Sequence, residues 1–90
     1  MNKHKISVII PCHNNHRSLK WILKAISISS EYICDVICVD DASLPGISDI
    51  TEKYGAKYVR LPGNIAGRRS LARNIGHITS NGEISFYIDG

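Results

Sequence analysis

Ninety residues carrying a formal charge of +3 fall below the usual domain size of roughly 100–150 residues, so the chain holds one modest core and amounts to one domain or part of one. Hydrophobic residues at 43% against charged residues at 21% exclude disorder, and basic residues scattered everywhere except at Arg68, Arg69 and Arg73 exclude a general nucleic-acid surface while leaving room for a local anion site. Three cysteines without CxxC spacing and no signal-peptide pattern point to a reduced, cytoplasmic compartment, and the apolar run Val8-Ile9-Ile10, stopped by Pro11, is too short to span a membrane.

The first strand is read at Ile6-Ser7-Val8-Ile9-Ile10, running into Pro11-Cys12-His13-Asn14-Asn15. Leu19, Ile22, Leu23 and Ile26 then fall at i, i+3, i+4 and i+7, the stripe of an amphipathic helix over about 16–30. A second strand over about 34–40 is apolar at consecutive positions, the pattern of a parallel strand covered on both faces, and it runs into Asp40-Asp41-Ala42-Ser43. Pro45 is expected in the first turn of the next helix with Ser43 as its cap, and Ile47, Ile50 and Tyr54 carry that helix to Gly55, which ends it. Residues 57–61 read as a third strand ended by Pro62-Gly63-Asn64, and Leu71, Ala72, Ile75 and Ile78 mark a third helix over about 66–80. Asn81-Gly82 turns the chain into a final strand from Glu83 to Ile88, which delivers Asp89 to its tip.

The pattern βαβαβαβ, with right-handed crossovers, predicts an α/β fold. It is a Rossmann-like, doubly wound parallel sheet in a three-layer sandwich, with strand order 3-2-1-4 and residues 1–90 in a single, partial domain. In open parallel sheets ligands sit beyond the carboxyl ends of the strands, so Pro11 to Asn15, Asp40-Asp41 and Asp89 converge on one expected site.

Four segments then line up in order: Ser7-Val8-Ile9-Ile10-Pro11-x-His13-Asn14; Val39-Asp40-Asp41-Ala42-Ser43; Asn64-x-x-Gly67 through Ala72-Arg73-Asn74-x-Gly76; and Gly82-Glu83-x-x-x-Tyr87-Ile88-Asp89. From about residue 5 to 90 the chain closely resembles the amino-terminal half of family 2 glycosyltransferases of GT-A fold. The resemblance implies transfer of a sugar from a nucleoside diphosphate sugar, a UDP-sugar first, to an acceptor hydroxyl with inversion. It implies a nucleoside held by Pro11, His13, Asn14, Asp40 and Asp41, a diphosphate met by Arg73, and a divalent cation, manganese or magnesium, whose first carboxylate is Asp89. The general base and the second metal aspartate of the family are not among these residues, so the isolated chain is expected to be inactive and to bind no metal by itself.

Elementary chemistry gives each residue a task and a plainer alternative. Asp41 at a strand tip can accept hydrogen bonds from uracil or ribose, or cap a loop. Of two adjacent carboxylates, one commonly faces the scaffold, and the resemblance implies that Asp41 is the stronger ligand candidate. His13 stands where the family commonly carries tyrosine, and its ring can still stack on a base. Arg69 and Arg73, four apart on a helix, can meet phosphates, with Arg68 and Arg69 equally suited to a solvated surface. Gly76 permits close helix packing, and Cys12, His13 and His16 lack a fourth ligand at zinc spacing.

A dinucleotide oxidoreductase is disfavoured by the missing GxGxxG turn, and a receiver domain by an acidic pair that follows the second strand. A non-catalytic binding module on the same core is the alternative. Trp21, Ala25 and Ile28 form a second helical stripe, and the final strand is an edge whose residues Ile84, Phe86 and Ile88 carry no charge, so a homo-oligomer covering one or both is expected.

Overall fold

In a computed structural model residues 6–28, 30–62 and 67–88 are described. The elements are β1 (Ile6–Cys12), α1 (His16–Ile28), a 3-10 turn (Ser30–Tyr32), β2 (Ile33–Asp40), α2 (Ser48–Lys53), β3 (Lys57–Arg60), α3 (Arg69–Thr79) and β4 (Ile84–Tyr87). All strand pairs are parallel and the order is β3-β2-β1-β4, as the crossover rule predicts.

Side-chain alternation along β1 and β2 divides the core into two layers. Val8, Ile10, Cys12 and Cys38 face Leu19 and Leu23 of α1 and Ile47 ahead of α2. Ile9, Ile37 and Val39 face the other way, onto Leu61 and Ala72, with Ile75 of α3 packed against them. The expected stripe of α1 is the buried one, with Ile22 and Ile26 at its margin. Trp21 stays 64% exposed and Ala25 is also exposed, so among the described residues these two members of the second stripe are not covered; the side chain of Ile28 lies outside the described residues. On β4, Ile84 and Phe86 are exposed as well.

Gly76 is buried where α3 crosses β1, and an added Cβ would overlap Ile9 Cγ2, so the close-packing role expected of this glycine holds. Gly55, at φ +72°, ends α2 as expected, with its N–H on Glu52 O and that of Ala56 on Thr51 O. The left-handed backbone there suits a residue without Cβ.

Three local expectations are corrected. Pro45 does not enter the first turn of α2, which begins at Ser48 with Ile47 at its cap and no side-chain capping bond. Ser43 does not cap that helix either. Its N–H donates to Asp40 Oδ1 and its hydroxyl accepts the Asn14 N–H, so bonds to a carboxylate and to a neighbouring loop set this segment, where local propensity suggested a helix start. The third helix likewise begins at Arg69.

Candidate functional site

The carboxyl ends of β1 and β2 lie side by side, with Cys12 level with Asp40 and Asp41 N–H on Cys12 O. Beyond them a cleft of about 170 Å³ is lined by Pro11, Cys12, His13, Asp41, Gly67, Arg69 and Ala72. The tips of two strands and the start of α3 thus converge, as the doubly wound topology requires. A larger concavity of about 880 Å³ lies between α1 and α2 and shares no residue with this cleft. Among the described residues, strand ends and sequence motifs meet at the smaller cleft, which is the candidate site.

His13 is exposed, and its Nδ1 lies 2.6 Å from Asp41 O. A carbonyl oxygen only accepts, so Nδ1 carries the proton and Nε2 is left to accept from Asn14 Nδ2 at 3.3 Å. The ring is thereby fixed in orientation on a residue that remains exposed. Asn14, at φ 50°, joins the two loops: its N–H donates to Ser43 Oγ, and its Oδ1 accepts the Leu44 N–H. It does not line the cleft.

The acidic pair divides its labour. Asp40 is 0% exposed, and its Oδ2 accepts from Tyr58 Oη at 2.7 Å and Arg60 Nη1 at 3.0 Å while Oδ1 accepts the Ser43 N–H. Burial pushes this carboxyl up, but hydrogen bonds from Ser43 and Tyr58 and the charge of Arg60 more than offset it and hold it below its ordinary 3.8. Its carbonyl oxygen also accepts the Leu61 N–H, so Asp40 ties β2 to β3 and to the following loop. Asp41 faces the cleft, its side chain 6% exposed, with the Arg68 N–H on Oδ2 at 2.7 Å and Arg68 Nε on Oδ1 at 3.0 Å. Arg68 Nη2 lies 2.9 Å from Oδ1, though its hydrogens are not aligned for a bond. Arg68 Nη1 donates to Pro62 O, so the guanidinium bridges the ends of β2 and β3 at the start of α3, where a carboxylate is also favoured by the helix dipole.

Cys12 sits at the cleft floor with Sγ on Ile10 O; its hydrogen bond with Cys38 and then its burial push the thiol well above its usual range, so it is inert. Of the basic residues, Arg69 lines the cleft whereas Arg73 is half-buried on the same helix with Nε inside the protein. Arg68 and Arg69 are the residues that sequence reasoning undervalued. The signal was their place immediately ahead of an apolar helical stripe, where anions gather. Asp89, the expected metal carboxylate, lies outside the described residues, and among the described residues no three His, Cys, Asp or Glu side chains converge to hold an ion.

The sequence profile of glycosyl transferase family 2 matches residues 7–90. The chain belongs to that family. Within it, the chain is 33% identical to the probable glycosyltransferase YdaM of Bacillus subtilis (strain 168) over 89% of its own length and 21% of that protein. It is 30% identical to the cholesterol galactosyltransferase of Borreliella burgdorferi over 100% of its length and 26% of that protein. The chain therefore spans about a fifth to a quarter of the curated relatives it matches. Among solved structures, S. aureus TarS superimposes with a TM-score of 0.74 at 26% identity, covering 94% of this chain and 16% of that one. Glucosyl-3-phosphoglycerate synthase of Mycobacterium tuberculosis, solved with Mn2+, uridine diphosphate and glucosyl-3-phosphoglycerate, gives 0.70 at 21% identity over 96% of this chain and 33% of that one. The family match bears out the GT-A fold that the resemblance implied, on the doubly wound sheet that the βαβαβαβ pattern predicted, and no helix among the described residues is long and apolar enough to cross a membrane.

Proposed function

We propose that this chain is the donor-binding half of an inverting glycosyltransferase, holding the nucleoside diphosphate of a UDP-sugar while the sugar passes to an acceptor hydroxyl. The observation that carries the proposal is the cleft that gathers Pro11, His13 and Asp41 from adjacent strand ends against the start of α3, in a chain of family 2. At about 170 Å³ the cleft is smaller than ligand pockets of roughly 300–1,000 Å³. It suits a base or a ribose, with the remainder of the donor resting on residues elsewhere.

His13, exposed and oriented by its bond to Asp41 O, is suited to stack on uracil, and Pro11 lines the same cleft as a rigid wall. Asp41 supplies the acceptor for base or ribose, charge-assisted and backed by Arg68. Arg69, which lines the cleft, is suited to meet the diphosphate, with Arg73 one turn on along α3 in the same proposed role, and Asn14 acts through the ring of His13, which it holds. Asp40 supports the site as scaffold. The fold is shared with an enzyme solved with Mn2+ and uridine diphosphate, and a divalent cation would neutralise the diphosphate in the intact protein. Asp89, the carboxylate that the resemblance assigns to that cation, lies outside the described residues. Self-association belongs in this scheme at β4, where Ile84 and Phe86 are exposed on an edge.

Titration calorimetry with UDP tests the proposal. Binding at millimolar UDP that weakens in His13→Ala and in Asp41→Asn is expected; no heat at millimolar UDP, or binding indifferent to both substitutions, overturns it.

A further inference from the structure

The larger concavity has no part in the donor site. It is a groove of about 880 Å³ on the outer face of the α1–α2 layer, walled by Arg17, Lys20, Trp21 and Lys24 from α1 and by Asp49 and Lys53 from α2, with Tyr54 at its end. Four cations face a single carboxylate there, and α1 itself, HRSLKWILKAISI, contains no acidic residue. Among the described residues none of these four cations pairs with a carboxylate. Two of them lie over aromatic rings instead, Lys24 Nζ 5.4 Å from the centre of Trp21 and Lys53 Nζ 5.7 Å from that of Tyr54.

We infer that this face docks on an anionic phospholipid surface, with Trp21 at the level of the headgroups and Arg17, Lys20, Lys24 and Lys53 around it. An indole and a phenol rimmed by long basic side chains combine an apolar body with a polar tip, which is the chemistry of a membrane–water boundary. The charge excess supplies the attraction to acidic headgroups. A small polyanion would need donors converging on a point, whereas these cations are spread along both rims and Trp21 is 64% exposed. A second copy seated on the same face would bring like charges together.

The test is sedimentation of the 90-residue chain with vesicles of phosphatidylcholine alone and of phosphatidylcholine mixed with phosphatidylglycerol, read together with the emission of Trp21, the sole tryptophan. Binding to the phosphatidylglycerol vesicles alone is expected, with a blue shift of Trp21, weakening in salt and a loss of about tenfold or more in Lys20→Glu/Lys24→Glu. Both lysines are exposed, and circular dichroism checks the fold; should that variant fail to fold, Lys53→Glu on the opposite rim is expected to weaken binding in the same direction. Absence of sedimentation, equal binding to both vesicles, or binding unmoved by either variant overturns the inference. So does a Trp21 shift produced as fully by a single-stranded oligonucleotide or by protein concentration alone. Calorimetry with UDP is expected to be unchanged in Lys20→Glu/Lys24→Glu, so loss of the lipid surface and loss of the donor site are separable.

Discussion

Asp41 and Arg68, 27 residues apart, close a two-point clasp: the backbone N–H of Arg68 binds one carboxylate oxygen and its Nε the other. Since the carboxylate is almost wholly buried, either partner left alone is poorly satisfied. A double-mutant cycle of Asp41→Ala and Arg68→Ala, read by urea unfolding, is expected to show a coupling of about 1–3 kcal/mol, each single change costing nearly as much as both together. Since Arg68→Ala keeps the backbone N–H on Oδ2, strict additivity would mean that the guanidinium limb of the clasp contributes nothing.

Stability should fall in acid through two carboxylates at opposite ends of the sheet. Burial raises Asp35, but bonds from Ser7, Lys57 and the Asn81 N–H outweigh it, and Asp40 is likewise held low. Both lie below 3.8 when folded, so the unfolded chain binds protons more readily. Their contribution is complete above the unfolded value, near pH 4, and is lost as pH falls through the folded values. Urea midpoints measured downward from pH 6 are expected to drop below about pH 4, and Asp40→Asn should flatten that drop while lowering stability at neutral pH.

Gly76→Ala should destabilise although alanine is the better helix former by about 1 kcal/mol. The new methyl meets Ile9 Cγ2 on a buried strand, and overpacking costs about 1–3 kcal/mol. A net loss of about 1 kcal/mol in chemical denaturation is expected, recovered when Ile9→Ala makes room in the double variant relative to Ile9→Ala alone.

Thiol titration should separate the cysteines. Cys12 and Cys38 are buried and Cys34 is partly exposed, and the Cys12 thiol is held protonated. Native protein is expected to react at one thiol with a disulfide reagent and at all three only after denaturation. Prompt reaction at two or more native thiols would show that the floor of the strand-end cleft opens.

Periodicity alone determined the alternation of strands and helices and, with the handedness of crossovers, the order 3-2-1-4, because apolar spacing reports which faces are buried and chain chirality limits the connections. The same locality made Gly55 and Gly76 legible, and it placed Pro11, His13 and Asp41 at the strand ends where the cleft lies. What each carboxylate does was decided only by tertiary structure. Asp40 and Asp41 are adjacent in sequence, yet one is bound by Tyr58 and Arg60 and the other by Arg68, partners 18 to 27 residues away that no local pattern selects. Local propensity at Ser43 and Pro45 favours a helix start, and the bonds that tie Ser43 to Asp40 and Asn14 override it. The exposure of Trp21 was likewise settled by packing: α1 has one stripe against the sheet, and the stripe that carries the indole faces away from it with its lysines.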